Sequence, residues 1–137
     1  MRQGRKYVVK RIAVSMQNRV FAESVMLMLQ RSGEFRPMRI ATGSPERALR
    51  ECIAAQPEIL LMDVTPTSPA TDLAGRMQLI EGMRREQPGC KVAILCDETA
   101  HPTLAREVMR AKQAGRIDAF FYASVTAEYL TAALYSI

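Results

Sequence analysis

Pro57-Glu58-Ile59-Leu60-Leu61-Met62-Asp63-Val64-Thr65-Pro66 decides how the rest of the chain is read. Ile59 to Met62 is an unbroken apolar run, short enough for a strand. A strand apolar on both faces is buried on both faces, as inside a parallel sheet. The run ends on a carboxylate, Asp63. In open α/β sheets, ligands sit beyond the carboxyl ends of the strands, near the point where strand order reverses. Asp63 therefore stands in a functional place. The plainer reading, that it only anchors the loop after it, stays open at this point.

Outward from this stretch, strands and helices alternate. Lys91 to Cys96 is a second continuous apolar strand, followed by Asp97-Glu98. Arg11 to Ser15 is a short apolar strand that could begin nearer Val8. Phe35 to Ala41 is a weaker one, near an edge because Pro37 cannot donate to a ladder. Ala119 to Ala123 is the last. Between them run helices. Arg19 to Arg31 has Phe21, Val25, Met28 and Leu29 on one face and ends at Gly33. Gly43-Ser44-Pro45-Glu46 opens the next, with Ser44 as cap and Pro45 in the first turn. Ala48, Leu49, Cys52 and Ile53 face inward there, and Pro57 closes it. Thr65 to Thr71 is a Pro/Ser/Thr-rich loop. Leu73 to Gln87 follows as a helix with Leu73, Met77 and Ile80 inward, stopped by Pro88-Gly89. His101-Pro102 opens another, through Leu104, Val108 and Ala111 to Gly115. Thr126 caps a final helix with Leu130, Leu134 and Ile137 below. Five βα units predict an α/β domain with a parallel sheet covered on both faces. Two doubly apolar strands must be interior and the Pro37 strand lies near an edge, so the order 2-1-3-4-5 is expected.

The chain has 137 residues, 48% hydrophobic and 24% charged, which suits one globular domain. We expect a basic N-terminal arm over 1–9 and a core over 10–137. No apolar run approaches the roughly 20 residues of a membrane span. Tyr7-Val8-Val9 is too short for a signal-peptide core and is interrupted by Lys10-Arg11. The reading is cytoplasmic, with no membrane partner. Cys52, Cys90 and Cys96 lack metal-ligand spacing and read as reduced, mostly buried thiols. The formal net charge is +5 and the sequence pI about 9.4. That permits nucleic-acid contact, but no recognition helix or aromatic-plus-basic stripe accompanies it. The cluster Arg2, Arg5, Lys6, Lys10, Arg11 reads as a solvated arm. Ser15-Met16-Gln17-Asn18-Arg19 follows the first strand where a glycine-rich phosphate loop would stand, and no nucleophile–base pair is visible. An enzyme is therefore not expected.

The βα order with an acid closing the third strand resembles the receiver domain of two-component response regulators. Arg11-Ile12-Ala13-Val14-Ser15 is similar to the family's first strand. Phe21-Ala22-Glu23 and Leu29 are similar to its first helix, in the version found with helix-turn-helix transcription factors. Pro57 to Val64 is very close to its third-strand motif. Met83-Arg84-Arg85-Glu86-Gln87-Pro88 resembles the end of its third helix. Ala114-Gly115, Asp118-Ala119-Phe120 and Phe121 to Leu130 resemble the approach to the fifth strand, the strand and the helix start after it. The resemblance covers Lys10 to Ile137. It implies a flavodoxin-like three-layer (βα)5 fold and phosphoryl transfer from a histidine kinase to Asp63. In that chemistry a Mg²⁺ ion is held by the acceptor and by an acidic pair after the first strand. A fourth-strand hydroxyl and a fifth-strand Lys then meet the phosphoryl group.

Residue by residue, only the acceptor matches. The acidic pair falls on Met16 and Gln17, with Asn18 next. Mg²⁺ is a hard ion wanting oxygen ligands at about 2.1 Å, and a thioether is soft. The hydroxyl position falls on Cys96, a weak donor, and the Lys position on Ala123. Because phosphoryl-transfer catalysis is positioning and electrostatics, most of that machinery is missing. Asp97 or Glu98 could lean over the site, or stay solvated. Lys112 or Arg116 could swing toward it, or simply mark a helix end. Asp63, Gln17 and Thr65 are the weak candidates for a metal. The loop from Pro66 to Asp72 is longer than the family's usual one and could alter access to Asp63. Phe120 matches the aromatic that moves on activation, and His101 is expected to do no chemistry.

These readings converge on an atypical receiver, a pseudo-receiver in phosphorelay signalling that acts by protein–protein contact. No cofactor is expected, and Mg²⁺ only if Asp63 is phosphorylated. The implied partners are a histidine kinase or another signalling protein. A homodimer is plausible through the face of the fourth helix, fifth strand and fifth helix. Arg106, Arg110, Glu128, Tyr129 and Tyr135 are the exposed candidates there. The alternatives are a working receiver phosphorylated at Asp63, and a DNA-binding regulator of which this is a part or the whole.

Overall fold

The computed structural model describes residues 8–66 and 68–137. Strands β1 (Lys10–Ser15), β2 (Phe35–Arg39), β3 (Ile59–Asp63), β4 (Lys91–Cys96) and β5 (Ala119–Tyr122) alternate with five helices. These are α1 (Arg19–Ser32), α2 (Pro45–Ala55), α3 (Leu73–Glu86), α4 (Pro102–Gln113) and α5 (Ala127–Ser136). The strands form one parallel sheet in the order β2-β1-β3-β4-β5, as the apolar pattern predicts. Pro37 lies on the edge strand, where it registers with Ile12.

The layers follow from strand alternation. Ile12, Val14, Leu61 and Leu95 point to one side and pack with Val25 and Leu29 of α1 and Leu130 and Leu134 of α5. Ala13, Leu60, Met62 and Ile94 point to the other and pack under α2, α3 and α4. The caps fall where the sequence places them: Ser44 accepts from Arg47 N–H, Asp72 from Gly75 N–H and Thr126 from Tyr129 N–H. The α2 helix ends one residue before Pro57, on Gln56 in the left-handed region at φ 51°.

Of the expected basic arm, residues 1–7 lie outside the described residues, and Lys10 and Arg11 do not belong to it. The Lys10 ammonium donates to the Tyr135 carbonyl and sits 4.6 Å from that ring's centre. Arg11 donates from Nε to the Gln56 carbonyl at 2.8 Å and pairs with Glu58 at 3.5 Å. Both are fastened to the amino edge of the sheet. Among the described residues no helix is long and apolar enough to cross a membrane.

The loop between β3 and α3 is tied down at both ends. Thr65 N–H donates to the Thr71 carbonyl at 2.9 Å, their hydroxyls meet at 2.7 Å, and Asp72 N–H donates to the Ser68 carbonyl at 2.7 Å. Gly75 is what lets α3 approach this loop. A Cβ there would meet the Pro69 carbonyl oxygen and, at 2.7 Å, that of Ala70. In open space Gly→Ala in a helix gains about 1 kcal/mol. Against rigid backbone the overpacking cost, about 1–3 kcal/mol, wins. Gly75→Ala should therefore lower stability in urea denaturation rather than raise it.

Candidate functional site

Asp63 ends β3 at the carboxyl edge, 7% exposed, and its carboxylate is fully engaged. Gln17 N–H donates to it at 2.9 Å and 3.1 Å, one distance to each oxygen, and Asn18 N–H lies 3.4 Å from Oδ2. These amides belong to the turn between β1 and α1, held in place because the Asn18 side chain caps α1 at Phe21 N–H. The remaining contact is a cation. Arg76 reaches from α3 and donates from Nη2 to Asp63 Oδ1 at 2.9 Å.

Arg76 is 1% exposed, the largest fully buried side chain among the described residues, and every arm of its guanidinium is used. Nε donates to the Asp63 carbonyl at 2.7 Å, Nη1 to Ser15 Oγ at 2.8 Å and Nη2 also to the Ser15 carbonyl at 2.8 Å. One side chain thus joins the ends of β1 and β3 to the first turns of α3. Burial, the largest influence, pushes the guanidinium below its ordinary pKa, and the charge and hydrogen bond of Asp63 pull it back. A guanidinium so paired keeps its proton.

The other positions singled out in the sequence are placed as follows. Met16 is 2% exposed and packs into the core on the α1–α5 side. Gln17 meets Asp63 through its main chain, not its side chain. Thr65 spends its N–H and hydroxyl on Thr71. Cys96 is buried in the opposite core, and burial pushes its thiol up to about 11, with Asp97, Glu98 and Asp63 adding to the shift. Ala123 lines a cavity of about 180 Å³ together with Asp63, Phe21, Leu95, Asp97 and His101. His101 therefore stands on the wall of the site, which its place before a helix-starting Pro did not reveal. Phe120 is half-buried, its ring 5.1 Å from Tyr122 and edge-on at 84°.

Neither proposed compensation has moved onto Asp63. Asp97 uses Oδ1 to accept from Thr99 and Ala100 N–H, both at 3.1 Å. Glu98 accepts from the Ser124 hydroxyl at 2.8 Å. Lys112 and Arg116 flank the turn into β5, at the amino edge of the sheet, where helix-to-strand connections lie. Arg116 pairs there with Glu81 at 3.6 Å. They are too far along the fold to reach the carboxyl edge, and of their two readings the helix end holds: Lys112 stands in the last turn of α4. Arg106, Arg110, Glu128 and Tyr129 are exposed as expected. Tyr135 is not part of that face: its ring meets Phe35 edge-on at 5.8 Å and its hydroxyl donates to the Val8 carbonyl at 2.7 Å.

The donor set does not fit Mg²⁺. An octahedral ion wants several hard oxygens with charge behind them. Asp63 offers one carboxylate already shared by a guanidinium and two amides, and Met16 and Gln17 add no carboxylate to it. Among the described residues no group of three His, Cys, Asp or Glu side chains comes together. Arg76 was missed in the sequence because only apolar residues were counted on the inward face of α3. The signal was there: Leu73, Arg76, Ile80 and Met83 recur at helical spacing, so a charged residue lies in the buried stripe.

The fold is that of response-regulator receiver domains. The signal receiver domain of NarL from Mycobacterium tuberculosis matches with a TM-score of 0.71 at 19% identity, over 93% of this chain and 94% of that one. Chemotaxis protein CheY4 of Vibrio cholerae matches at 0.70 with 14% identity, over 95% and 99%. The inactive form of the regulatory domain of the repressor of iron transport regulator matches at 0.70 with 20% identity, over 93% of each chain. Identities this low establish the fold alone. No sequence-family profile matches the chain, and no curated protein matches it.

Two outcomes are expected. Arg76→Ala leaves a buried carboxylate without its cation and should cost about 3–5 kcal/mol in urea denaturation. The thiols of Cys52, Cys90 and Cys96, pushed by burial up to about 12, about 11 and about 11, stay protonated at neutral pH. Their reaction with a disulfide reagent should be far slower in the native chain than in guanidinium chloride.

Proposed function

We propose that this protein is a pseudo-receiver: a signalling module that works by protein–protein contact and does not use Asp63 as a phosphoacceptor. The observation that carries the reading is the Arg76 guanidinium on Asp63 Oδ1 at 2.9 Å. A phosphoacceptor needs a free carboxylate oxygen for in-line attack and a cation that neutralises the incoming phosphoryl group. Here one oxygen is held by a buried Arg and both face main-chain N–H groups. The Arg is fixed by its bonds to Ser15 and to the Asp63 carbonyl, so it cannot follow a phosphoryl group outward. Ala123 brings no ammonium, and Met16 and Gln17 bring no carboxylates. On this reading Arg76 takes the place of the metal, and the site takes no Mg²⁺.

Several receiver domains of this fold belong to two-component regulators, which supports a histidine kinase or another signalling protein as partner. Contact would then be read from the fixed shape of the domain and not from a phosphorylation state.

The test is intact-mass analysis after incubation with acetyl phosphate and Mg²⁺, beside Asp63→Asn. No phosphoryl adduct is expected on either chain. An adduct on the native chain that Asp63→Asn abolishes would mean a working phosphoacceptor and would reject the proposal.

A further inference from the structure

The connections that lead from strand to helix, 16–18, 40–44, 64–72, 97–101 and 123–126, all lie at the carboxyl edge of the sheet. The chain has 19 Lys and Arg, yet none falls in these loops, which hold Asp72, Asp97 and Glu98. The one cation buried at this edge among the described residues, Arg76, is spent on Asp63 and Ser15. Asp72 caps α3. Asp97 and Glu98 have no ion-pair partner among the described residues, and Glu98 Oε1 is buried without a hydrogen bond. The edge therefore carries negative charge that no ion pair offsets. The cavity of about 180 Å³ beside Asp63 opens into it. The deep wall of the cavity is apolar, since Val64 and Leu95 are buried and Phe21 and Ala123 half-buried. Its rim carries the exposed Asp97 and the half-buried His101, whose imidazole is not used to cap α4.

We propose that this cavity binds a small primary alkylammonium ion. The chemistry of its walls selects the class. An anion finds no Lys or Arg among the described residues that line it. A hydrated metal ion gains nothing from Phe21, Val64, Leu95 and Ala123 and would have to give up water to enter. A neutral hydrocarbon would cover the Asp97 carboxylate without pairing it. An ammonium on a short alkyl stem meets both demands. The stem lies against the apolar wall, and the three N–H donors turn to Asp97 and to an imidazole nitrogen of His101. Phe21 adds an aromatic ring for the cation. The cavity is smaller than the roughly 300–1,000 Å³ of drug-sized sites, which limits the stem to a few carbons. All of these groups come from one chain, so a free amine completes the site and no partner surface is needed. The inference rests on the proposed function in one respect, because a phosphoryl group on Asp63 would enter the same space. It deepens that reading by giving the site a ligand. The occupied cavity touches the turns that open α1, α4 and α5 through Asn18, His101 and Ala123, so the amine would set the shape that a partner reads.

An amide NMR titration of the full chain with n-butylammonium chloride tests it, with far-UV circular dichroism to show that each variant is folded. Saturable shifts are expected at Val64, Asp97, His101 and Ala123 in the millimolar range, and none from sodium chloride or sodium butyrate at equal concentration. Asp97→Asn, at an exposed position, and Ala123→Leu, which fills the cavity, should each weaken binding about ten-fold or more. The absence of saturable shifts overturns the inference, as do equal shifts with sodium chloride or butyrate, or binding that both variants leave unaltered. An Nα-acetyl-lysine amide that binds about ten-fold more tightly than n-butylammonium also overturns it, in favour of a partner's Lys side chain. Incubation with acetyl phosphate separates the two readings. A chain that takes no phosphoryl group and binds no amine sinks this inference alone. A phosphoryl adduct on Asp63 of a chain that still binds n-butylammonium rejects the proposed function alone.

Discussion

A single buried guanidinium holds the carboxyl edge of this sheet together. Arg76 is bound by two strand ends through Ser15 and Asp63, and it projects from the first turns of α3. Placing an isolated charge in a core would be prohibitive, so the pocket must be complete before the charge is tolerable. That requirement reaches outward. Asp63 has to end β3 where it does, the β1–α1 turn has to aim two amides at it, and α3 has to approach the sheet closely. The approach of α3 in turn requires Gly75 under the loop carbonyls and the Thr65–Thr71 clasp that shapes the loop. The extended β3–α3 connection is thereby part of the site's construction.

In an ordinary receiver the charge of the acceptor carboxylate is balanced by an ion and by a mobile ammonium. Here the balance is covalently built in. A metal exchanges and a Lys on the fifth strand is free to change partners, but a guanidinium with its arms occupied is a fixed structural element. Electrically, Arg76 and the uncharged residues at 16 and 17 belong together. With carboxylates at 16 and 17 the pocket would carry excess negative charge that one Arg could not offset. With Met16 turned into the core, one Arg and one Asp close the account electrically.

Nearly all of the fold was legible because it rests on patterns that a sequence displays. Doubly apolar runs at Ile59–Met62 and Lys91–Cys96 mark interior strands, Pro37 marks an edge, and Ser44, Asp72 and Thr126 stand at helix starts. The identity of the central acid was legible too. Its partners were not. Two of them are main-chain amides of Gln17 and Asn18, which any residue could supply, so side-chain identity carries no trace of them. The third, Arg76, sits beyond a long loop, and nothing local says that the loop folds back to bring it under Asp63. For Lys112 and Arg116 the helix-end reading holds, and topology gives the reason. Their charge suits a phosphoryl group, but their place before a strand puts them at the wrong edge of a parallel sheet.

The central claim is that Arg76 is the resident cation of the site. Nitrogen-15 NMR of the arginine side chains addresses it directly, since the Arg76 Nε–H is buried and donates to the Asp63 carbonyl. The account predicts a resolved, slowly exchanging Arg76 Nε–H signal that stays in place as Mg²⁺ is raised through the millimolar range. A signal that shifts saturably with Mg²⁺, or that is lost to exchange when the ion is added, would mean that the guanidinium yields the carboxylate to a metal. That result would contradict the claim.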